Sequence, residues 1–288
     1  MEYIIGKAAG FCYGVKRAVD GAREEIVNNN KKIYCLGEIV HNKEVTKDLE
    51  KLGIEFIDNI SEIKEKNSVT LIRAHGIPNQ TYKDFKSNNL EIKDYTCPNV
   101  LKIHEIAEKY SKDGYYIILL GSKAHPENIG TISFCGENKS IIEEIEDTYS
   151  AVSNIKKIKI NKVLLISQTT YSLNKFYRIE EILKSELNNN VELKVKNTIC
   201  KATEIRQKET QSLAKNVDAM VIIGGKNSSN TRKLYEIAKE NCLIVQSVET
   251  LKDINESKLS NCKKIGIMAG ASTPNKSIED VCNKIRKL

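Results

Sequence analysis

The sequence predicts an α/β protein made of three small βαβ units with parallel sheets, and three observations carry that expectation. Short aliphatic runs that end near Gly, Ser or His recur along the 288 residues. Helical patterns alternate with them. Three cysteines, Cys12, Cys97 and Cys200, each open a segment of similar layout. Unbroken apolar runs of about four to eight residues mark strands buried on both faces, and their regular alternation with helices marks right-handed βαβ crossovers.

In chain order, a helical pattern over residues 15–27 comes after Cys12 and leads into a strand at 32–37, with a further strand at 69–74. After Cys97 come a helix at 100–110, strands at 115–121 and 163–167, and a helix at 176–187. After Cys200 come a helix at 203–214, a strand at 219–225, a helix at 231–240, a strand at 265–269 and a helix at 277–286. Polar stretches such as SNNLEIKD and LNNNVELK mark the joins, with no Pro-rich or Gly/Ser-rich linker between them. The units implied are residues 14–96, 97–196 and 197–288, with residues 1–13 entering the central site separately.

With 40% hydrophobic and 29% charged residues, the chain has the make-up of an ordinary globular protein. No apolar run nears the roughly 18 residues of a membrane span. The start, MEYIIGKAAGFCYG, is broken by Glu2 and Lys7 where a secretion signal needs an apolar stretch. The expectation is a cytoplasmic protein without membrane contact. The net charge of +7 comes from lysines scattered over helical stretches, and aromatics are only 6%. That distribution argues against a nucleic-acid partner; it reads first as solvated helix faces, and otherwise as a basic surface suited to anionic substrates or an acidic protein.

In a reducing cytosol, eight cysteines read as ligands, nucleophiles or core residues and not as a disulfide framework. Cys35 and Cys242 lie in strand-like runs, where cysteine packs as a small hydrophobe. Cys135, Cys262 and Cys282 have no recognisable partner. The remaining three are set apart by polar loop residues at matching distances downstream. His41 lies 29 residues after Cys12, His125 lies 28 after Cys97, and Ser228 lies 28 after Cys200. A second loop residue comes at 63 for His75, 72 for Thr169 and 72 for Ser272.

Equivalent positions in repeated units would let three distant cysteines converge on one metal centre, although no CxxC pair is present. A four-iron cluster held by three thiolates leaves one iron open to a substrate oxygen and to electron transfer. A closed zinc site with one of the histidines as fourth ligand satisfies the spacing equally. Around the cysteines, the loops EIVHN, RAHG, KAHPE, SQTT, NSSN and GASTP offer hydrogen-bond donors near helix starts, which suits a phosphate or diphosphate. Glu127 is the one carboxylate among the singled-out loop residues; it reads as a proton donor to a reducible substrate or as a carboxylate stabilising a helix N-terminus. His104, inside a helical pattern, reads as structural.

The segments AGFCYGVKRA, GEIVHN, RAHGI, TCPNVLKIH, HPE, QTTYS, NTICKATEIRQ, NSSNTRKL and GASTP resemble the signature segments of the 4-hydroxy-3-methylbut-2-enyl diphosphate reductases, the IspH or LytB family. They run in order from near the first residue to near the last. The resemblance implies a trefoil of three α/β domains in pseudo-three-fold arrangement around a central iron-sulfur cluster. It also implies an oxidoreductase of the methylerythritol phosphate route of isoprene biosynthesis, which converts the allylic diphosphate to isopentenyl and dimethylallyl diphosphate by two-electron reductive dehydroxylation. By motif, Cys12, Cys97 and Cys200 would hold a [4Fe-4S] cluster. His41, His75, His125, Ser228, Ser229, Asn230 and Ser272 would line the diphosphate pocket, with Thr169 beside the substrate hydroxyl and Glu127 delivering the proton. The electron donor implied is ferredoxin or flavodoxin. Departures are confined to loop detail, at Ala124, Asn128, Ile129 and Ser167.

Overall fold

The computed structural model of the chain describes residues 2–288. It begins with β1 (Glu2–Ile5), α1 (Tyr13–Asn28), β2 (Lys32–Leu36), α2 (Lys43–Lys51), β3 (Ile54–Ile57), β4 (Ser68–Ile72), α3 (Asn79–Ser87) and β5 (Glu91–Asp94). Next come α4 (Pro98–Lys112), β6 (Tyr116–Leu120), α5 (Pro126–Ile132), β7 (Lys139–Ile142), α6 (Asp147–Lys157), β8 (Lys162–Ser167), α7 (Leu173–Glu186) and β9 (Glu192–Val195). The last stretch holds α8 (Lys201–Ala214), β10 (Ala219–Ile223), α9 (Ser229–Asn241), β11 (Ile244–Val248), β12 (Lys264–Ala269) and α10 (Asn275–Ile285).

The strands form three four-stranded parallel sheets, ordered β3-β2-β4-β5, β7-β6-β8-β9 and β11-β10-β12-β1. All three obey one rule: the first strand of a unit pairs with its second and third, and a fourth strand closes the far edge. In the third sheet that fourth strand is β1, from the other end of the chain, with Tyr3 opposite Ile265 and Ile5 opposite Ile267. The sequence pattern predicts no strand there. The chain divides into two compact units. One comprises the residues up to Val27, Val40–Ile54 and Lys201–Leu288, and contains the third sheet. The other comprises Asn28–Ile39 and Glu55–Cys200, and contains the other two.

The central strands are buried on both faces. In β6, Tyr116, Ile118 and Leu120 join Val152 of α6 and Phe176 and Leu183 of α7, while Ile117 and Leu119 turn to Ile103 and Ala107 of α4. In β10, Ala219, Val221 and Ile223 meet Val281 and Ile285 of α10, while Met220 and Ile222 meet Leu234 and Ala238 of α9. A fully buried Ile, Leu or Val stabilises the fold by about 1.5–3 kcal/mol, so the central strands supply much of the driving force. They are the six strands that the aliphatic runs predict. The six that the runs do not predict, β1, β3, β5, β7, β9 and β11, are all sheet edges. Exposed charges such as Glu91 and Glu192 sit on them, and charged edges resist pairing with foreign strands.

Strands β6 and β10 end in glycines held at positive φ, Gly121 at +156° and Gly224 at +149°. A Cβ at Gly121 would collide with Asn128 Nδ2, and one at Gly224 would collide with Thr231 Oγ1 and stand 2.9 Å from Thr273 Oγ1. The absent side chains let the adjoining loops fold back over the strand ends. Ligands of open parallel sheets bind beyond these carboxyl ends.

Candidate functional site

Each cysteine singled out by sequence stands between the fourth strand of a sheet and a helix that starts at the next residue. Cys97 comes after β5 and before α4, Cys200 after β9 and before α8, and Cys12 after β1 and before α1. The backbone N–H of each donates to a carbonyl two residues beyond the third strand of its sheet. Cys97 bonds to Ala74 O at 3.0 Å, Cys200 to Thr169 O at 3.1 Å and Cys12 to Ala271 O at 3.1 Å. Thr170 is therefore the counterpart of His75 and Ser272, one position on from the Thr169 that equal spacing selects. All three cysteines are partly exposed, whereas Cys35, Cys135, Cys262 and Cys282 are buried. Cys242 caps the C-terminal end of α9 and lies ahead of β11, outside the strand. The positive end of a helix dipole suits an anionic sulfur, and soft thiolate donors suit iron-sulfur chemistry. The donor set thus fits such a cluster.

In the unit that holds the first two sheets, the loop after β6 and the loop after β8 meet at Glu127. Its Oε1 accepts from Thr169 N at 2.6 Å and its Oε2 accepts from Thr169 Oγ1 at 2.7 Å. Two residues that sequence placed in separate loops, 42 positions apart, form one element. His125 is the N-cap of α5, its Nδ1 accepting from Glu127 N at 3.2 Å, and Pro126 fills the first helical position. The His75 and His125 rings meet edge to face at 5.4 Å. Asn128 Nδ2 donates to Ser122 O at 2.8 Å and to Gln168 Oε1 at 2.9 Å, locking the two loops together. His104 lies in the interior stacked on Phe134 at 4.5 Å, and burial pushes its imidazole down to about 4, which agrees with a structural role.

Glu127 is 2% exposed. Burial pushes its carboxyl up to about 7, against the lowering effect of the two bonds from Thr169. The folded chain therefore prefers the neutral form. The resulting stability is fully present below the unfolded value of 4.5 and is lost as pH rises through about 7. In the iron-free chain, Glu127→Gln is expected to gain about 3 kcal/mol relative to wild type between pH 4.5 and pH 8, read from urea unfolding at both pH values. An unchanged difference between the two proteins would contradict the burial argument.

In the other unit, the third sheet collects the remaining residues. Ser228 is the N-cap of α9, with Oγ accepting from Thr231 N at 3.3 Å. Ser229 and Asn230 occupy the first turn. Asn230 is 3% exposed, and neither its Oδ1 nor its Nδ2 has a hydrogen-bond partner among the described residues. A buried primary amide left open at a helix N-terminus is a ready contact for a phosphoryl group. Ser272 Oγ donates to His41 O at 3.1 Å, and His41 precedes Asn42, whose side chain caps α2. The polar face of α8, where Thr203, Arg206, Gln207 and Thr210 are buried at helical spacing, has no assigned role in the sequence, although NTICKATEIRQ contains the first three. Polar residues at the positions where a buried helix normally carries apolar ones were the readable signal.

The LytB protein family profile matches residues 4–286. The chain is 44% identical over 99% of its length to the 4-hydroxy-3-methylbut-2-enyl diphosphate reductase of Clostridium acetobutylicum, and it spans 43% of that relative. It is 41% identical to the protein of the same name from Caldanaerobacter subterraneus subsp. tengcongensis, covering 100% of this chain and 98% of the relative. The solved structure of (E)-4-hydroxy-3-methyl-but-2-enyl diphosphate reductase, described as the terminal enzyme of the non-mevalonate pathway, matches with a TM-score of 0.71 at 38% identity, covering 100% of both chains.

Proposed function

The chain belongs to the LytB family, and we propose that it acts as a 4-hydroxy-3-methylbut-2-enyl diphosphate reductase. The reaction consumes two electrons and two protons, expels the allylic hydroxyl as water, and yields isopentenyl and dimethylallyl diphosphate. The observation that carries this reading is the equivalent placement of Cys12, Cys97 and Cys200, each at a helix start and each tied by its amide to the loop after a third strand. We assign them as the protein ligands of a [4Fe-4S] cluster. When bound, the cluster supplies electrons and a Lewis-acidic iron without a protein ligand.

The side chains do the rest. Burial lets Glu127 keep its proton up to about pH 7, and Thr169 fixes both of its oxygens, so it is the group to deliver a proton to the departing hydroxyl. The hydroxyls and amide of Ser228, Ser229, Asn230 and Ser272, with His41, His75 and His125, are assigned to the diphosphate. Holding the diphosphate fixes the orientation of the allylic end, which is catalysis by positioning and electrostatics. We assign the three domains to residues 14–96, 97–196 and 197–288, with residues 1–13 as a segment that enters the central site separately. An acidic carrier such as ferredoxin or flavodoxin suits the net charge of +7. The cytoplasm is the setting assigned, without a nucleic-acid partner. Among the described residues no helix is long and apolar enough to cross a membrane.

Anaerobic purification and then visible and electron paramagnetic resonance spectroscopy, with and without the allylic diphosphate, tests the proposal. The expected result is a brown protein whose reduced signal changes on adding the diphosphate. A colourless protein after reconstitution, or a signal indifferent to the diphosphate, would sink it.

A further inference from the structure

Between β1 and α1 the chain runs through a loop, Gly6 to Cys12, that belongs to no helix or strand. Backbone groups in such a loop need partners from elsewhere. Gly6 N donates to Ile267 O at 2.9 Å, Ala9 N to Gly6 O at 3.1 Å and Cys12 N to Ala271 O at 3.1 Å. Two side chains of one helix, α8, add further contacts. Glu209 of α8 spreads its carboxylate over two consecutive amides, with Lys7 N at 2.6 Å from Oε1 and Ala8 N at 2.9 Å from Oε2. One turn earlier on the same helix, Arg206 donates through Nη2 to Gly10 O at 2.6 Å and through Nη1 to Ala202 O at 3.3 Å.

Arg206 is 4% exposed. A guanidinium buried to that degree carries a desolvation cost that generic packing does not require. Its return here is a fixed carbonyl two residues before Cys12. Gly10 is itself at φ +96°, and a Cβ there would stand 3.2 Å from Asn275 Oδ1 and 3.3 Å from Ile278 Cδ1, so the loop has little room to move on its other side. Charge-assisted bonds of this kind are shorter and roughly twice as strong as neutral ones. Arg206 and Glu209, three residues apart, lie on neighbouring positions of the helix surface and grip the loop at both polarities of its backbone.

We propose that Arg206 and Glu209 form a backbone clamp that holds the Cys12 thiol in place for cluster binding. They are positioning residues, acting through the loop and not on substrate. This inference rests on the assignment of Cys12 as a cluster ligand. The clamp fixes the position of one ligand by side chains that do not themselves touch iron, as supporting shells do at other metal sites. The helix that begins after Cys200 thereby sets the geometry around Cys12.

Alkylation of the 288-residue chain by iodoacetamide under anaerobic conditions, with peptide-resolved mass spectrometry, reads the clamp directly. Cys97 and Cys200 serve as internal references, and each protein is assayed with and without a reconstituted cluster. Glu209→Ala and Arg206→Met are expected to raise the Cys12 rate at least about tenfold, one decade corresponding to about 1.4 kcal/mol of loop ordering, with the reference rates unchanged. They also shift the midpoint potential of the cluster, whereas Glu108→Gln, which breaks an exposed ion pair with Lys112 towards the far end of α4, changes neither. Glu209→Gln and Arg206→Lys, which each keep part of the contacts, give intermediate ratios and stand in where the larger changes prevent folding. A uniform rise at all three cysteines, or none, would overturn the clamp. A wild-type chain that binds no iron would instead refute the cluster assignment, while the Cys12 ratio in the iron-free chain still decides whether the clamp exists.

Discussion

Replacing Cys12, Cys97 or Cys200 singly with alanine is expected to strip the cluster and lower turnover at least about a thousandfold, because the chemistry assigned to the site is supplied by the bound cluster. The control is internal. Cys135→Ala and Cys282→Ala, which shorten buried side chains packed among apolar neighbours, are expected to lower unfolding free energy by about 1–3 kcal/mol while leaving iron content at the wild-type level. Iron and sulfide analysis alongside denaturant unfolding separates the two groups. Retention of a full cluster by any one of the first three variants would remove that cysteine from the ligand set. The contrast has a structural origin: the first three lie partly exposed at helix starts, while Cys135 and Cys282 lie inside apolar clusters.

Glu127→Gln is expected to lower kcat by about 10²- to 10⁴-fold with KM changed far less, the pattern of a lost proton donor and not of lost binding. Gln is close in shape and can keep a contact with each of the two Thr169 groups, so the substitution removes the proton and little else. The wild-type enzyme should lose activity as pH rises through about 7, where the buried carboxyl gives up its proton. That limb should vanish in the variant. Steady-state kinetics across pH 5.5–9, roughly that window, measures both. A variant with wild-type kcat, or one whose loss lies entirely in KM, would assign proton delivery to another group.

The strands show where sequence is informative. Each of the six aliphatic runs became a central strand, because packing on both faces favours aliphatic residues at successive positions. The edge strands escaped because one side of each is open to solvent. ELKV in β9 and EIKD in β5 alternate exposed and half-buried residues over only four positions, too short for a clear period. Helices α2 and α3 were passed over for a related reason, since KEVTKDLEK and NQTYKDFKS offer few apolar residues. The short α5 is announced only by its Pro126 start, a capping signal and not a periodic one.

The candidate residues divide along a similar line. The spacing of Cys12, Cys97 and Cys200 was legible because a repeated unit repeats its intervals, and their common placement between a fourth strand and a helix start is the physical basis of that spacing. Interval counting slipped by one residue at Thr169, whose carbonyl, and not its side chain, is the counterpart of Ala74 and Ala271. The resemblance implied roles for Glu127 and Thr169 without showing that they touch. That contact depends on two loops at the ends of adjacent strands, β6 and β8, folding toward each other over Gly121.

What could be read from the linear chain was therefore the repeated layout, the buried strands and the chemical types available at each strand end. These are local properties, written in periodicity and interval. The protonation of Glu127 and the grip of Arg206 and Glu209 on the Cys12 loop were decided only by the tertiary structure. Both depend on how much water a group loses and which distant backbone atoms replace it, and desolvation is a property of the packed neighbourhood and not of any segment.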